Sequence, residues 1–275
     1  MSEFAERTEL LVPEPAHALG ALLEVPVPDL TREGLPPLWH WVYLLDRPPQ
    51  ADLGADGHPV RGTIPAPPGP GLRRMWAGGQ VRTHGPLRCG EPATRRTEVL
   101  SIKDKQGRTG PVTFVVVGHR ITQLGRLVVD ERQDLVYRAP AEEGRESEPA
   151  GEGPEVPPAE DEWGIDVTPT LLFRFSALTY NAHRIHYDRD YVRDVEGYPG
   201  LLTHGPLQAL AMAEAARAQG RFAGNLSFDY RLTAPLFDHQ GLIVRATPDG
   251  NTITTAVRDV HGRQTAQGSL TTIGD

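Results

Sequence analysis

Within eight residues this chain places four side chains able to move a proton or hold a water: Asn181, His183, His186 and Asp188. They belong to the stretch 173–207, FRFSALTYNAHRIHYDRDYVRDVEGYPGLLTHGPL, which closes with His204-Gly205-Pro206 at the mouth of an apolar, helix-forming run. Imidazole exchanges protons near neutrality, and a helix N-terminus offers unpaired N–H groups to developing negative charge. Acid/base groups upstream of a glycine-initiated helix therefore suit proton transfer beside an oxyanion. Each residue also has a plainer reading: a histidine after a helix as surface or cap, an acid near a loop as a turn residue, a glycine as a helix start.

Two helices must hold this cluster. Thr168-Pro169 is a cap followed by proline at the first helical position, with Leu171, Leu172, Phe175 and Leu178 at helical spacing after it. Gly205-Pro206 opens a second helix, LQALAMAEAARAQ, which stops at Gly220. Strands are expected at 225–232, 241–247, 252–258 and 263–272, separated by Pro/Asp/Gly and His/Gly turns. The first half repeats this outline. Pro36-Pro37 opens an expected helix LWHWVYLLD, and strands follow at 79–83, 94–103 and 113–121. Between the halves, residues 138–162 form a Pro-, Gly- and Glu-rich segment with too few apolar side chains to offset its ordering entropy, which reads as a flexible linker. A second Pro/Gly-rich stretch, 59–71, reads as an inserted loop. The expected organisation is 1–137, linker 138–162, and 163–275, two copies of one α+β unit.

Charge must be located before it is interpreted. The net charge is −8, yet residues 138–162 carry nine acids against Arg138 and Arg145, so the remainder is close to neutral. No basic stripe interleaved with aromatics points to nucleic acid. Cys89 is the one cysteine, which excludes an internal disulfide, and no Cys/His spacing resembles a zinc site. Neither a secretory signal nor an apolar run long enough for a bilayer is evident, so a cytoplasmic protein without membrane association is expected.

A long helix wrapped by an antiparallel sheet is the hot-dog fold. The strings RFSALTYNAHRIHYD, GLLTHGPLQ, LWHWVYLLD and RRMWAGG resemble the MaoC-like double hot-dog hydratases and dehydratases, in the subgroup holding mesaconyl-CoA hydratase and fungal mitochondrial 3-hydroxyacyl-thioester dehydratase type 2. The resemblance covers nearly the whole chain apart from the linker and the extreme N-terminus. It implies an α+β double hot dog, two antiparallel sheets each wrapping a central helix. The N-terminal unit would be catalytically degenerate and line the substrate pocket.

The (R)-specific hydratase pattern has an aspartate, then Asn-Pro, a hydrophobic residue and a histidine five places after the aspartate. Here the histidine falls on His186, the hydrophobic residue on Ile185, the Asn-Pro on His183-Arg184 and the aspartate on Asn181. An amide cannot take a proton at neutral pH, though it can hold a water. The resemblance then implies His186 as acid/base, His183 ordering it, Asn181 as water-holder and the Gly205 N–H as oxyanion donor. Tyr180, Arg184, Asp188, Trp76 and Gly78 are candidate substrate contacts, with arginine suited to coenzyme A phosphates. The implied reaction is hydration of an enoyl thioester, or the reverse, on coenzyme A or acyl carrier protein, without metal or organic cofactor. A branched or dicarboxylic acyl group such as mesaconyl is favoured. The rivals are a thioesterase using Asp188 and a non-catalytic acyl-thioester binding subunit. A monomer and a homodimer both fit the symmetry of such folds.

Overall fold

The run LQALAMAEAA buries nearly every side chain from Leu207 to Ala216, the behaviour of a helix enclosed on all sides. The surrounding elements are defined in a computed structural model describing residues 4–64, 72–107, 110–139, 153–220 and 224–274. In chain order they are β1 (Phe4–Leu10), α1 (Glu14–Leu23), β2 (Arg73–Thr83), β3 (Pro92–Gly107), β4 (Gly110–Gln123) and β5 (Arg126–Arg138). The second half follows as β6 (Glu162–Ile165), α2 (Pro169–Thr179), α3 (Arg189–Asp194), α4 (Gly205–Ala218), β7 (Asn225–Leu232), β8 (Leu242–Asp249), β9 (Thr252–Arg258) and β10 (Gln264–Ile273). Most of the expected linker (140–152) and the later part of the expected insertion (65–71) lie outside the described residues.

The strands pair in the order β1-β3-β4-β5-β2-β7-β10-β9-β8-β6, antiparallel at every pairing. This is the α+β hot-dog architecture, with one refinement. The two sheets join edge to edge through β2 and β7, from Gly78 opposite Arg231 to Arg82 opposite Ser227. Joining edges removes two unpaired strand borders and fixes one half against the other. Gly78 serves that seam. A Cβ there would stand 2.4 Å from the Tyr230 carbonyl oxygen, so the seam requires glycine at this position.

The expected first-half helix is also corrected. Of LWHWVYLLD only Trp39–Val42 coils, as a single 3-10 turn, and Leu38 before it takes a left-handed backbone. The reason lies in three consecutive rings. Trp39 Nε1 donates to Glu214 on α4 (2.7 Å), while His40 and Trp41 both hydrogen-bond Glu131 on β5 (2.9 and 3.0 Å). Tertiary partners in different directions override local propensity here. Five further elements, β1, α1, β5, β6 and α3, were not expected from the sequence. In β5 the inward positions include Glu131 and Gln133, both buried, so the apolar alternation that announces a strand is broken.

Glu131, itself buried, accepts from the buried His40 ring and from the partly buried Trp41 indole. Burial raises its carboxyl, but the His40 hydrogen bond and the neighbouring imidazole charges outweigh this and hold it below the ordinary range. Glu131→Ala is expected to cost about 3–5 kcal/mol by stranding both rings. Chemical denaturation would measure this, and a loss under about 1 kcal/mol would contradict the reading.

Candidate active site

Thr168 caps α2 by accepting from the Leu171 N–H (3.1 Å), with Pro169 at the first helical position as its sequence implies. The helix ends where Tyr180 turns left-handed, φ 53°, and its side chain is exposed. Asn181 follows. Its N–H donates to Ser176 O (2.8 Å), and its side-chain oxygen accepts from the His183 N–H (3.0 Å). That Asx turn delivers a 3-10 turn, Arg184–His186, and so sets the direction of both imidazoles.

His186 is buried, and its Nδ1 lies 2.8 Å from the Leu202 carbonyl oxygen. A carbonyl can only accept, so Nδ1 carries the proton and the neutral ring keeps Nε2 as its acceptor. Desolvation pushes the pKa down to about 4, against a smaller upward effect of the Leu202 bond. The ring stacks on His204 at 3.6 Å and meets His183 edge-on at 5.5 Å. His183 and His204 are buried as well, and burial with mutual repulsion lowers both far below the usual imidazole range. His204 Nε2 pairs with Ser176 Oγ (2.9 Å), whereas its buried Nδ1 has no partner.

His204 is also the residue that precedes α4, so the stack leads directly to the helix N-terminus. Gly205 is the first helical residue, and the earliest backbone bonds there are made by Leu207 and Gln208 to His204 O (3.1 and 3.3 Å). Its N–H therefore belongs to the group that helix geometry leaves without an internal acceptor. A Cβ at 205 would collide with Leu232 Cδ1 at 2.3 Å and touch Trp76 Cβ at 3.8 Å. Trp76 thus stands beside the N-terminus, its indole N–H bound to Tyr230 Oη (2.9 Å).

Arg184 and Asp188 are tied to each other and to neighbouring elements. Asp188 caps α3 by accepting from Tyr191 N (3.0 Å) and takes two hydrogen bonds from Arg184 (3.0 and 2.7 Å). The third Arg184 contact is Nη1 to Ala55 O (3.0 Å), and the guanidinium lies 4.0 Å over the Tyr191 ring. These bonds make Arg184 a clamp between the halves. They also occupy the carboxylate on which a thioesterase reading rested.

The partner in that clamp was missed from sequence. Residues 50–60 fold into a loop whose Asp56 carbonyl accepts from Arg184 N (2.8 Å). Gly57 (φ 87°) is needed where the chains touch, because a Cβ would fall 1.9 Å from Ala182 O. The loop carries His58 to His183, ring centroids 3.9 Å apart, and ties it to Asp56 (Nδ1 to Oδ2, 3.0 Å). Asp-x-His was the available signal, but it abuts a Pro/Gly-rich stretch and lies far from the cluster it joins. Asp56, His58 and His183 have ligand-type atoms all within 4.8 Å of one another, the one such group among the described residues.

The sequence profile of hydroxyacyl-thioester dehydratase type 2 matches residues 38–238, spanning both this loop and the histidine cluster. The chain belongs to that family. It is 48% identical over 241 residues to mesaconyl-C(4)-CoA hydratase of Chloroflexus aurantiacus, covering 86% of this chain and 84% of that one. Mitochondrial hydroxyacyl-thioester dehydratase type 2 of Schizosaccharomyces pombe is 26% identical over 273 residues, covering 88% and 90%. Among solved structures, HtdX of Mycobacterium tuberculosis shares the fold, with TM-score 0.69, 12% identity, and coverage of 98% and 100%. Within this hydroxyacyl-thioester dehydratase family, the chain is a hydro-lyase that adds or removes water across a thioester substrate.

If His186 is the acid/base expected from the sequence, its burial predicts an unusual pH dependence. A free imidazole protonates near ~6.5, whereas His186 stays neutral until about 4. The acid limb of kcat/KM is therefore expected well below the ordinary imidazole range, with activity lost as pH falls through about 4. Stability contributed by the neutral ring is complete above ~6.5 and declines toward the same lower value. An acid limb near ~6.5 would contradict a desolvated base.

Proposed function

We propose that this chain hydrates a 2-enoyl-CoA thioester reversibly, with a branched dicarboxylic acyl group of the mesaconyl type as substrate. The observation carrying the site assignment is the His186–His204–Gly205 array: a neutral base with Nε2 open, stacked on the residue before an unpaired helix N–H. In this reading a water lies on His186 Nε2, which takes its proton as oxygen attacks the β-carbon. The Gly205 N–H receives the thioester oxygen as it gains charge, helped by the helix N-terminus. Asn181 has its oxygen engaged on His183 N, so its amide nitrogen is the atom that donates to the water. Trp76 walls the acyl channel beside Gly205. Tyr180, exposed at the end of α2, is assigned to the rim of the site. These proton transfers require no metal or organic cofactor.

The relative's name supplies the acyl group, and one cation suits it. A mesaconyl thioester keeps a free carboxylate, and Arg74 on β2 lies close enough to His183 for its charge to oppose protonation there. Its Nε donates to Tyr137 Oη at 3.1 Å, which aims the side chain. We assign Arg74 to the substrate carboxylate. One chain carries the whole array, so a homodimer would duplicate the site without completing it. Residues 1–137 then serve as the substrate-facing hot dog and 163–275 as the one bearing His186, in the cytoplasm, where the buried thiol of Cys89 stays reduced.

A panel of saturated, enoyl and branched dicarboxylic CoA thioesters, read by the mass of one water, tests the reading. Enoyl substrates are expected to gain water, and release of free thiol instead would establish hydrolysis. His186→Ala should lower kcat by about 10²–10⁴-fold. Arg74→Met should raise KM for mesaconyl-CoA by about 10–100-fold and leave crotonyl-CoA nearly unchanged. Equal effects on both substrates would remove Arg74 from carboxylate recognition.

A further inference from the structure

Position 181 holds an amide where the hydratase pattern has its carboxylate, and the amide oxygen is already bound to a backbone N–H. Asn181 therefore cannot shuttle protons, and the cluster on the second half is left with neutral, buried imidazoles. Hydration needs two proton transfers, one from water to a base and one to the α-carbon. The loop from the first half brings a second Asp–His pair to this place. Asp56 accepts twice from His58, at the ring Nδ1 (3.0 Å) and at the backbone N (2.9 Å). Its own carbonyl is pinned by Arg184 N, so the carboxylate is positioned from both sides. With Nδ1 turned to the carboxylate, Nε2 is the nitrogen of His58 left for proton exchange.

The surroundings separate His58 from the other imidazoles. Its side chain is 19% exposed, whereas His183, His186 and His204 are buried. Desolvation raises the Asp56 carboxyl, but the His58 bonds and charge hold it below the usual range, so an anion stands behind the ring. The groups around His58 are Asp56 on its own loop, His183 at 3.9 Å, and His186, which is near enough to be repelled by charge on His58. Arg184 adds its guanidinium at Ala55 O, and Arg74 acts on His183 from β2.

Resting on the hydratase reading, we propose that His58, oriented by Asp56, is the second acid/base of the active site, contributed by the half that lacks the histidine cluster. In hydration, a water O–H breaks and its proton goes to His186 Nε2 while oxygen bonds the β-carbon. The C=C electron pair moves onto the α-carbon and thioester oxygen. The α-carbon then takes the proton from His58 Nε2, with C–H formed and N–H broken. His58 is left neutral and His186 protonated, and a proton returned through solvent resets the pair. Asp56 is a positioning residue in this scheme. The same atoms could instead gather a divalent cation, but Nδ1 and Oδ2 face each other at hydrogen-bond distance, which favours the dyad.

The test uses the full chain and its best enoyl-CoA substrate. His58→Gln is expected to lower kcat about 10²-fold with KM little changed, and Asp56→Asn, which keeps an acceptor but no charge, about 10-fold. Proton delivery to carbon should become rate-limiting in His58→Gln, raising the solvent deuterium isotope effect on kcat. Imidazole in the buffer should restore part of the His58→Ala rate. His58→Gln within about threefold of the parent overturns the proposal, as does a loss that imidazole does not restore and that leaves the isotope effect unchanged. Activity abolished by a chelator and restored by zinc overturns it in favour of a metal site. A parent chain that hydrates no enoyl thioester removes the hydratase reading and this proposal with it, whereas an active parent with an active His58→Gln removes only the second.

Discussion

Desolvation of three neighbouring imidazoles is the constraint on which the site depends. His183, His186 and His204 are packed where a charged ring would lose its water and repel the others. Only neutral rings satisfy that packing, and a neutral ring must place its one proton. For His186 the Leu202 carbonyl decides the matter, because it accepts from Nδ1 and leaves Nε2 as a base. The left-handed turn at Tyr180, the Asx turn at Asn181 and the 3-10 turn through His186 deliver the ring to that carbonyl. Burial thus fixes both the charge state of the ring and which nitrogen is left as an acceptor.

The halves cooperate in ways that their separate hot dogs do not suggest. The β2–β7 seam makes one sheet, and Trp39 reaches across to Glu214 on α4. Arg184 and Gly57 close a third contact, in which one loop lies so near another that a Cβ is excluded. Together these hold the loop of Asp56 and His58 against the histidine cluster. The histidine cluster of one unit thus lies against a solvent-touched Asp–His pair of the other.

What could be read from the sequence was local. Thr168-Pro169 and Gly205-Pro206 announce helices because a cap and a proline act on neighbouring residues, and both helices begin there. The stretch from Asn181 to His186 was visible because its residues are adjacent. By contrast, the rings of Trp39, His40 and Trp41 answer to carboxylates on α4 and β5, so a helical pattern folded as a short turn. Strand β5 was hidden by buried Glu131 and Gln133, which look like surface residues when read alone. Asp56 and His58 join the cluster only through tertiary packing, and nothing in their neighbourhood records it. The clamp role of Arg184 was hidden because its partners across the halves, Ala55 O and Asp56 O, are backbone atoms.

Nitrogen-15 chemical shifts of labelled histidines, followed with pH, test the desolvated base most directly. His186 should show a protonated Nδ1 and an unprotonated Nε2 at about pH 7, and keep that neutral pattern well below the ordinary imidazole range near ~6.5. An imidazolium at His186 near neutrality, or a proton on Nε2 with Nδ1 bare, would contradict it.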